Sequence, residues 1–397
     1  MRIAIFDHRV VENNPIGSCH LEVLQAHRHA HQFTVFAVEF DNPDPERIAW
    51  VRIPAPTRPL FVLFLTFHVL AVLFYWAYRV RHRVTFDVVQ MVESKSFPGT
   101  VMYSHFCHRH YLEHHWRTTK PAGLRGVARW LDHQLHALLE PLAYRHVDHV
   151  VAPSQGLARE IVSTYSTATS KVRVISNAID VSAMRMPSDF DRSSFRSSLR
   201  LLPTETALLF VALGHFERKG LPHVLSALAR LGRDDVKVIV VGGTNDLIDL
   251  YRGKAASLGI GDRLEFVGFQ ADCRPYYWSC DAFILPSSYE TFSLVAFEAA
   301  AAGLPSLVSR LHGIEEFAID GETAILIAPD AGGVLEGLRR LLAMRGDDRR
   351  RLAELARSAV QRYDVERFDA AWQTFYAMIE SDGRQPASPA GRDHGES

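Results

Sequence analysis

The second half of the chain alternates short apolar segments with segments of helical periodicity. The apolar segments are rich in β-branched and aromatic residues and occupy 207–214, 237–243, 263–269, 282–288, 305–309 and 323–329. Between them, apolar residues recur at helical spacing, as in LPHVLSALARL from Leu221. Near-continuous apolar strands that alternate with helices are typical of a parallel sheet covered on both faces. This pattern predicts a doubly wound α/β domain whose ligand crevice lies at the carboxyl ends of the strands.

The first half repeats this alternation less regularly. Its strand candidates are 2–6, 32–40, 86–92, 100–104 and 149–153. The chain has 397 residues, enough for two domains, so a second Rossmann-like domain is the simplest interpretation. The first strand is followed not by a GxGxxG dinucleotide fingerprint but by a predicted turn at 14–18 with one glycine. A polar, turn-rich segment from Ser176 is predicted to link the two domains.

One long apolar segment, at 60–78, is unusual for a soluble domain. Its length and the arginines that follow it suit a transmembrane helix; these are Arg79, Arg81 and Arg83. However, a strand-like segment resumes at Thr85, and a membrane span would separate the strands on either side of it. We therefore favour a partly buried helix of the first domain, whose exposed part and arginines contact an anionic membrane surface.

The composition excludes other classes of protein. The formal net charge of −1 argues against a dedicated nucleic-acid-binding protein. The cysteines lack CxxC spacing, which indicates reduced thiols in the cytosol; they are Cys19, Cys107, Cys273 and Cys280. The N-terminal sequence lacks the pattern of a signal peptide. These features predict a cytoplasmic protein, with peripheral attachment to the inner face of the cytoplasmic membrane through 60–83 as a further expectation.

Two glutamates accompany a predicted alanine-rich helix that ends at 303–305. Glu290 follows a buried strand and precedes the helix N-terminus, predicted at 291–293 with a side-chain cap, and Glu298 lies inside the helix. A helix N-terminus offers free N–H groups to a phosphate, whereas carboxylates accept hydrogen bonds from hydroxyls. A nucleotide sugar combines both chemical groups. The ordinary alternative is a first-turn charge and a solvated helix residue.

A basic pair is predicted at the same edge of this sheet. Arg218 and Lys219 lie in the loop between the first strand of the second domain and its helix, bracketed by Gly214 and Gly220. Guanidinium and ammonium groups both suit diphosphate oxygens. The alternative is two ordinary exposed basic residues, but the flanking glycines favour a shaped loop.

These segments resemble the retaining glycosyltransferases of family 4, which have the GT-B fold. The matching segments are GHFERKG, VVGG, LEFVGF, YETFSLVAFEAAAAGLP and HGIEEFAIDG, in that order. The resemblance covers most of 145–380 and is weaker before it. It implies an α/β protein in which two Rossmann-like, doubly wound domains, 1–178 and 179–364, face each other across a cleft. The helix at 365–380 should cross back onto the first domain, and 381–397 is predicted to be disordered.

The resemblance also implies roles for single residues. Glu290 and Glu298 match the family's paired-glutamate motif, EX7E, with Glu290 on the donor-sugar hydroxyls and Glu298 on the ribose. Arg218 and Lys219 match the basic pair that neutralises the diphosphate leaving group. The other implied donor-binding positions are Gly17 in a loop that faces the phosphates, Val267, Gly268 and Phe269 along the base, and the backbone amides of Phe292, Ser293 and Leu294 at the sugar and diphosphate.

Histidines supply the first-domain candidates. In the family a histidine at the end of a first-domain strand usually faces the reacting sugar. His105 matches it, with His108 and His110 as reserve candidates on the acceptor side. Nine of the twenty histidines lie between His105 and His149, which invites a metal-site interpretation. No ligand spacing recurs on one helix face with carboxylate partners, so we expect no zinc and mostly surface histidines.

No metal ion is expected at the donor site either. Asp189-Phe190-Asp191 forms a DxD, which holds a divalent ion in GT-A transferases, but it lies in the predicted linker, where a solvated turn is favoured. Basic side chains and a helix N-terminus can replace the ion. The expected ligands are a UDP- or GDP-linked sugar as co-substrate and a lipid-linked or glycan acceptor, with no other cofactor.

The sequence therefore predicts metal-independent glycosyl transfer with retention, in bacterial envelope or exopolysaccharide synthesis by resemblance. No protein nucleophile is apparent, which favours same-face substitution through an oxocarbenium-like state. Two alternatives remain open. One is a GT-B-like sugar-nucleotide epimerase or phosphorylase, although no lysine pocket for pyridoxal phosphate is readable. The other is a non-catalytic membrane-associated scaffold that uses the helix at 60–78.

Overall fold

The computed structural model describes residues 1–93, 99–120 and 123–384. It contains two α/β domains, each built on a parallel sheet, which confirms the predicted fold class. The first-domain strands are β1 (Arg2–Phe6), β2 (Arg9–Val10), β3 (Gln32–Ala37), β4 (Glu39–Phe40), β5 (Ala49–Arg52), β6 (Val88–Val92), β7 (Val101–Tyr103), β8 (His149–Ala152) and β9 (Val172–Val174). Its helices are α1 (Pro15–His27), α2 (Leu60–His82), α3 (His108–His114), α4 (Trp116–Thr119), α5 (Gly123–His146) and α6 (Gln155–Thr164).

The main sheet of the first domain has the strand order β5-β3-β1-β6-β7-β8-β9. The predicted strand at 32–40 divides in two, because the chain leaves the main sheet at Val38 and β4 pairs with β2 instead. Strand β5 was not predicted, since its four residues alternate between half-buried and exposed and give no continuous apolar signal. The central strands are buried on both faces, as expected for a sheet between two helical layers.

The second domain begins with helix α7 (Arg192–Ser198) and continues through strands and helices in alternation. Its further elements are β10 (Thr206–Val211), α8 (Leu221–Leu231), β11 (Val236–Val241), α9 (Asn245–Ser257), β12 (Leu264–Gly268), α10 (Arg274–Ser279), β13 (Ala282–Leu285), α11 (Leu294–Ala302), β14 (Ser306–Val308), β15 (Ile325–Leu326), α12 (Ala331–Ala343) and α13 (Gly346–Val360). The parallel strand order is β12-β11-β10-β13-β14-β15, so β10 and β13 lie side by side at the centre. Their carboxyl ends therefore bring the basic loop and the Glu290 segment to one edge.

The segment after Ser176 belongs largely to the second domain and is not a simple linker. Ile179, Val181 and Met184 are buried in that domain's core. The DxD tripeptide starts helix α7, because Asp191 Oδ1 accepts a hydrogen bond from the backbone N–H of Ser194 at 2.9 Å. Helix capping accounts for this aspartate without any metal ion.

The last helix, α14 (Val365–Arg384), packs on the first domain. Its apolar residues recur at helical spacing and are buried in the first-domain core; they are Phe368, Trp372, Phe375 and Tyr376. Tyr376 also donates a hydrogen bond to Gln90 Oε1 at 2.9 Å. The chain enters and leaves the second domain at neighbouring points, since Ile179 forms a parallel bridge with Asp364. Residues 381–384 of the predicted tail are helical, and 385–397 lie outside the described residues.

Helix α2 is the predicted apolar helix. It is long and apolar enough to cross a membrane, with a mean hydropathy of 2.2, yet only 28% of its most apolar window is buried. One stripe, including Leu63, Phe67 and Ala71, packs in the first-domain core. The strands on either side, β5 and β6, belong to the same sheet, so α2 lies along the domain. Five other large apolar side chains of α2 are well exposed: Leu65, Val69, Leu73, Trp76 and Val80.

Candidate active site

The loop that follows β10 carries the predicted basic pair. Arg218 and Lys219 precede α8, and Gly220, its N-cap, has φ +85°. A Cβ atom on Gly220 would lie 2.1 Å from the carbonyl oxygen of Pro286, so only glycine permits this approach. The backbone N–H of Ser288 also donates to the carbonyl of Arg218 at 2.9 Å. The basic loop and the end of β13 are therefore held together at the carboxyl edge of the second sheet.

Lys219 and Glu290 form an ion pair at this edge. Lys219 Nζ donates to Glu290 Oε1 at 2.6 Å, and Ser287 Oγ donates to the same oxygen at 2.6 Å. Burial lowers the pKa of Lys219, and the charge of Glu290 offsets part of this effect. Burial alone would raise the pKa of Glu290, but the charges of Lys219 and Arg218 and these hydrogen bonds hold it below its usual value. Glu290 is therefore ionised at neutral pH.

Helix α11 begins beside this pair. Its N-cap, Ser293, has a left-handed backbone with φ +73° and makes no side-chain cap, contrary to the sequence prediction. Within the described residues, neither Ser293 Oγ nor Arg218 Nε has a hydrogen-bond partner, although both atoms are buried. Buried donors without partners, next to the free N–H groups of a helix N-terminus, provide a site for phosphate oxygens.

Gly313 holds a second loop against the start of α11. Its φ is +78°, and a Cβ atom would lie 2.5 Å from Cα of Phe292. The ring of Phe292 stacks on that of Phe297 with a centroid distance of 4.2 Å. Packing on both sides therefore positions the backbone of Phe292, Ser293 and Leu294, the segment predicted to contact the sugar and diphosphate.

Glu298 belongs to a different hydrogen-bond network from Glu290. Its Oε2 accepts a hydrogen bond from Tyr277 OH at 2.8 Å, and that hydroxyl lies 3.3 Å from the carbonyl oxygen of Val295. Burial raises the pKa of Glu298, although the hydrogen bond from Tyr277 lowers it. Sequence analysis missed Tyr277, because this residue of α10 is far from the glutamate motif along the chain and follows no motif of its own.

The predicted base-binding residues lie where β12 ends. Gly268 has φ +72°, and its carbonyl accepts a hydrogen bond from the backbone N–H of Gly242 at 2.7 Å, which joins the ends of β11 and β12. Val267 is half-buried, and Phe269 is 55% exposed. These residues form an accessible edge beyond the strand, as contact with a flat ring requires.

His105 lies two residues beyond the end of β7 in the first domain. It is buried, and its ring lies 4.2 Å from the ring of Tyr103. The next residue, Phe106, contacts Tyr289 of the second domain with a ring distance of 5.2 Å. This contact brings the segments that carry His105 and Glu290 together across the domain boundary, as the sequence prediction requires.

The reserve candidates engage other side chains. His108 Nε2 lies 3.3 Å from Glu93 Oε2, and its ring stacks on His136 at 4.0 Å. His110 Nε2 lies 3.6 Å from Glu160 Oε1. The expectation of mostly surface histidines between 105 and 149 is wrong, because the fold places carboxylates and aromatic rings beside them. The fully buried ones are His105, His108, His133 and His136.

Gly17 lies in the first turn of α1, where an open turn was predicted. Asn14 caps this helix, with its Oδ1 accepting hydrogen bonds from the N–H groups of Ile16 and Gly17 at 3.0 Å each. A Cβ atom on Gly17 would lie 2.3 Å from the carbonyl oxygen of Arg9. Gly17 therefore allows α1 to pack against β2, and its contact with a phosphate stays a prediction.

Two contacts across the domain boundary were not predicted. Arg129 of α5 donates to His215 Nε2, in the loop of the basic pair, at 2.9 Å. At the start of α6, Ser154 Oγ donates to the carbonyl of Thr291 at 2.6 Å. No motif marks Arg129, and only the helical spacing of apolar residues after 123 could have indicated α5. Ser154 lies in the segment VVAPSQGLAREI, which also resembles the family, but its contact with Thr291 depends on the fold. These contacts hold the domains together around the candidate site.

Comparison with known proteins gives a consistent picture. Residues 21–183 match the family model described as Glycosyltransferase Family 4, and residues 193–359 match that described as Glycosyl transferases group 1. An uncharacterised glycosyltransferase of Methanocaldococcus jannaschii is 26% identical over 335 residues, which are 80% of this chain and 82% of that protein.

Two solved structures share the fold over nearly the whole chain. WaaG, a glycosyltransferase involved in lipopolysaccharide biosynthesis, has a TM-score of 0.76 at 17% identity and covers 94% of this chain and 99% of its own. Anabaena HepE in complex with UDP and glucose has a TM-score of 0.72 at 18% identity, with 95% and 100% covered. The two facing parallel-sheet domains and these matches define a GT-B glycosyltransferase. More narrowly, the chain belongs to the family 4 type.

Proposed function

We propose that this enzyme is a retaining, metal-independent glycosyltransferase that transfers a sugar from a UDP- or GDP-linked donor to a lipid-linked or glycan acceptor, in bacterial envelope or exopolysaccharide synthesis. The observation that carries the proposal is the Lys219–Glu290 pair beside Arg218, at the N-terminus of α11 and next to the segment of His105. The HepE complex with UDP and glucose, and the involvement of WaaG in lipopolysaccharide biosynthesis, support the donor class and the setting.

Donor binding uses the buried donors that have no partner among the described residues, together with the Lys219–Glu290 ion pair. Arg218 Nε, Ser293 Oγ and the first N–H groups of α11 bind diphosphate oxygens. Lys219 turns from Glu290 towards the diphosphate, and Glu290 then accepts hydrogen bonds from sugar hydroxyls. In the absence of donor, Lys219 and Glu290 compensate each other's charge. When the donor binds, each exchanges this contact for one with the donor. Glu298 accepts from the ribose hydroxyls.

The chemical step breaks the bond between the anomeric carbon and the diphosphate oxygen. Arg218, Lys219 and the helix N-terminus stabilise the negative charge of the leaving nucleoside diphosphate, which takes the place of a divalent ion. The acceptor oxygen attacks the same face and passes its proton to a leaving-group oxygen, so no protein nucleophile is needed. His105 lies against the reacting sugar on the first-domain side of the cleft. Closure of the cleft excludes water, which protects the donor from hydrolysis.

The decisive experiment screens nucleotide sugars for thermal stabilisation and then follows the anomeric configuration of the product by NMR. We expect one UDP- or GDP-sugar to stabilise the protein, a product with the donor's anomeric configuration, and no increase in kcat on adding Mg²⁺ or Mn²⁺. An inverted product would refute the retaining mechanism. Conversion of the donor sugar without an acceptor would support an epimerase, and no nucleotide binding at all would support a scaffold.

Peripheral membrane contact is the second part of the proposal. Helix α2 contacts α5 through the rings of Phe64 and His136, 4.2 Å apart, so the exposed apolar residues of the two helices form neighbouring surfaces. On α5 these are Leu124, Val127, Trp130, Leu131, Leu138 and Leu142. Apolar area of this extent, with arginines at the end of α2, suits the surface of an anionic bilayer. This contact places a lipid-linked acceptor beside the first domain, on the inner face of the cytoplasmic membrane.

A further inference from the structure

Imidazole and carboxylate groups meet on the first-domain side of the boundary between the domains. His110 Nε2 lies 3.6 Å and His115 Nε2 lies 3.9 Å from Glu160 Oε1, and the three atoms lie within 4.8 Å of one another. Tetrahedral zinc with bonds of about 2.0–2.1 Å holds its ligand atoms about 3.3 Å apart. Coordination would require Nε2 of His110 and of His115 to approach Glu160 Oε1 by a few tenths of an ångström, and the two nitrogens to reach the same separation from a present distance of at most 4.8 Å. None of them belongs to the donor site.

The second nitrogen of His110 indicates which atom is available. Its Nδ1 lies 3.4 Å from Thr164 Oγ1, and that hydroxyl donates its proton to the carbonyl of Glu160 at 2.7 Å. Thr164 Oγ1 therefore accepts from Nδ1–H, which leaves a lone pair on Nε2. This lone pair faces a carboxylate oxygen, and a cation between the two acceptors stabilises the arrangement. A hydrogen bond that fixes the outer ring nitrogen is typical of metal-bound histidine.

Residues of the second domain orient the carboxylate. His312 Nε2 lies 2.8 Å from Glu160 Oε1, and Tyr289 OH donates to Oε2 at 3.0 Å. The side chain of Glu160 is only 4% exposed, whereas those of His110 and His115 are 21% and 29% exposed, which leaves a path for an ion from solvent. The carboxylate is thus buried and fixed from the opposite domain, and the imidazoles close the site from outside.

A second histidine–glutamate group in the first domain, Glu93 with His108 and His136, fits an ion less well. The rings of His108 and His136 are parallel within 4° and stacked at 4.0 Å. A metal ion must lie in the plane of each imidazole that binds it, and parallel stacked rings have no shared point of this kind. This group is therefore better described as a packed hydrogen-bond cluster.

We propose that His110, His115 and Glu160 bind a divalent transition-metal ion, with zinc as the ion that this donor set suits best, and that His312 and Tyr289 position Glu160 from the second domain. Two imidazole nitrogens and one carboxylate leave a fourth coordination position for water or another ligand. The ion is separate from the diphosphate chemistry. It joins the two domains through Glu160, so its binding stabilises their present arrangement. The proposal does not depend on which sugar is transferred.

The test measures binding of Zn²⁺ and Co²⁺ to the full chain after treatment with a chelator. We expect one ion per chain by elemental analysis, a visible Co²⁺ spectrum of tetrahedral intensity, and a rise in Tm with Zn²⁺. His115→Ala and Glu160→Gln should abolish the spectrum and the rise in Tm. His312→Ala should weaken binding about 10–100-fold, as loss of an outer-shell partner does.

His114→Ala is the matched control, because His114 is exposed and adjacent to a ligand. It should bind the ion as the parent does. Equal loss in His114→Ala, or a weak Co²⁺ spectrum that all variants share, would overturn the donor set in favour of adventitious binding by surface histidines. No stoichiometric ion in the parent chain would show a proton-sharing cluster instead. Circular dichroism of each metal-free variant separates lost binding from lost folding, and His110→Ala gives a second ligand variant if Glu160→Gln fails to fold.

Discussion

The two sides of the cleft hold their functional groups in different ways. On the second-domain side, Lys219 and Glu290 lie on short loops whose backbones touch, and Gly220 permits that contact. On the first-domain side, His105 lies just beyond a strand and against the ring of Tyr103, while helices α3 and α5 carry buried histidines and α2 and α5 carry exposed apolar residues. The diphosphate of a nucleotide sugar is the same in every donor of this class, so fixed backbone geometry can bind it. Acceptors differ in their chemistry, so the surface that binds them differs as well. The four predictions below test this difference.

The largest effect is expected where the two second-domain loops touch. Gly220→Ala places a methyl group against the carbonyl of Pro286, whereas Gly232→Ala meets no atom within 4 Å and requires only the same left-handed backbone. The control should cost about 1–2 kcal/mol of unfolding free energy from its backbone, and Gly220→Ala roughly 1–3 kcal/mol more from overlap. Chemical denaturation measures both. Equal losses would show that the loops are not locked together.

The next largest effect concerns the charges on these loops. Lys219→Ala and Glu290→Gln should each lower kcat/KM at least about tenfold, or ~1.4 kcal/mol of transition-state stabilisation. Lys237→Ala is the control, because Lys237 also forms an ion pair, with Glu205 at 3.4 Å, but this pair lies away from the cleft. Steady-state kinetics with the donor found by screening gives the result. Near-normal kinetics in both site variants would refute the assigned donor site.

On the first-domain side, an acidic substitution tests the apolar surface. Leu65 of α2 and Leu250 of α9 are both 49% exposed, so Leu65→Glu and Leu250→Glu differ in position rather than exposure. Leu65→Glu should reduce binding to anionic vesicles by roughly 1 kcal/mol, or about fivefold, while Leu250→Glu leaves it unchanged. Vesicle flotation measures the bound fraction, and high salt should release much of the parent protein. No flotation of the parent at low salt would leave α2 as a packing helix only.

The smallest effect at neutral pH is expected from a histidine within the same apolar helix, because its contribution to stability changes only on acidification. Burial lowers the pKa of His68 to about 4, below its ordinary value of 6.5. The unfolded chain therefore takes up a proton first as pH falls, and stability decreases between about pH 6.5 and 4, by at most ~1.4 kcal/mol per pH unit. His68→Leu should flatten this part of the pH–stability profile, and His146→Leu, at an exposed position, should not. Parallel profiles for all three proteins would contradict a neutral His68.

The same difference explains how much the sequence could predict. Strands β10, β11 and β13 are continuous apolar segments, so their existence followed from periodicity, and with it the prediction that the basic loop and Glu290 share one edge of the sheet; their order in the sheet did not. The alternation of half-buried and exposed residues in β5 carried no such signal. Side-chain capping at the start of α11 was predicted wrongly, because the left-handed backbone of Ser293 depends on packing against Gly313, a residue of another loop.

The histidines of the first domain show a second limit. Motif spacing can detect ligands on one helix face, but Glu160 comes from α6 and His312 from the other domain. Only the folded chain brings them to His110 and His115. The reserve role of His110 rested on its closeness to His105 along the chain. Its contact with Glu160 depends on the folding of α6 beside it and could not be predicted from spacing.

The first domain is continuous in space but discontinuous along the chain, because the chain returns to it beside Ile179, at the bridge with Asp364. The chain therefore crosses between the domains twice, at neighbouring points. Removal of residues 365–397 would look like trimming a C-terminal tail, yet it would take Trp372 and Tyr376 out of the first-domain core and expose the surroundings of Tyr103.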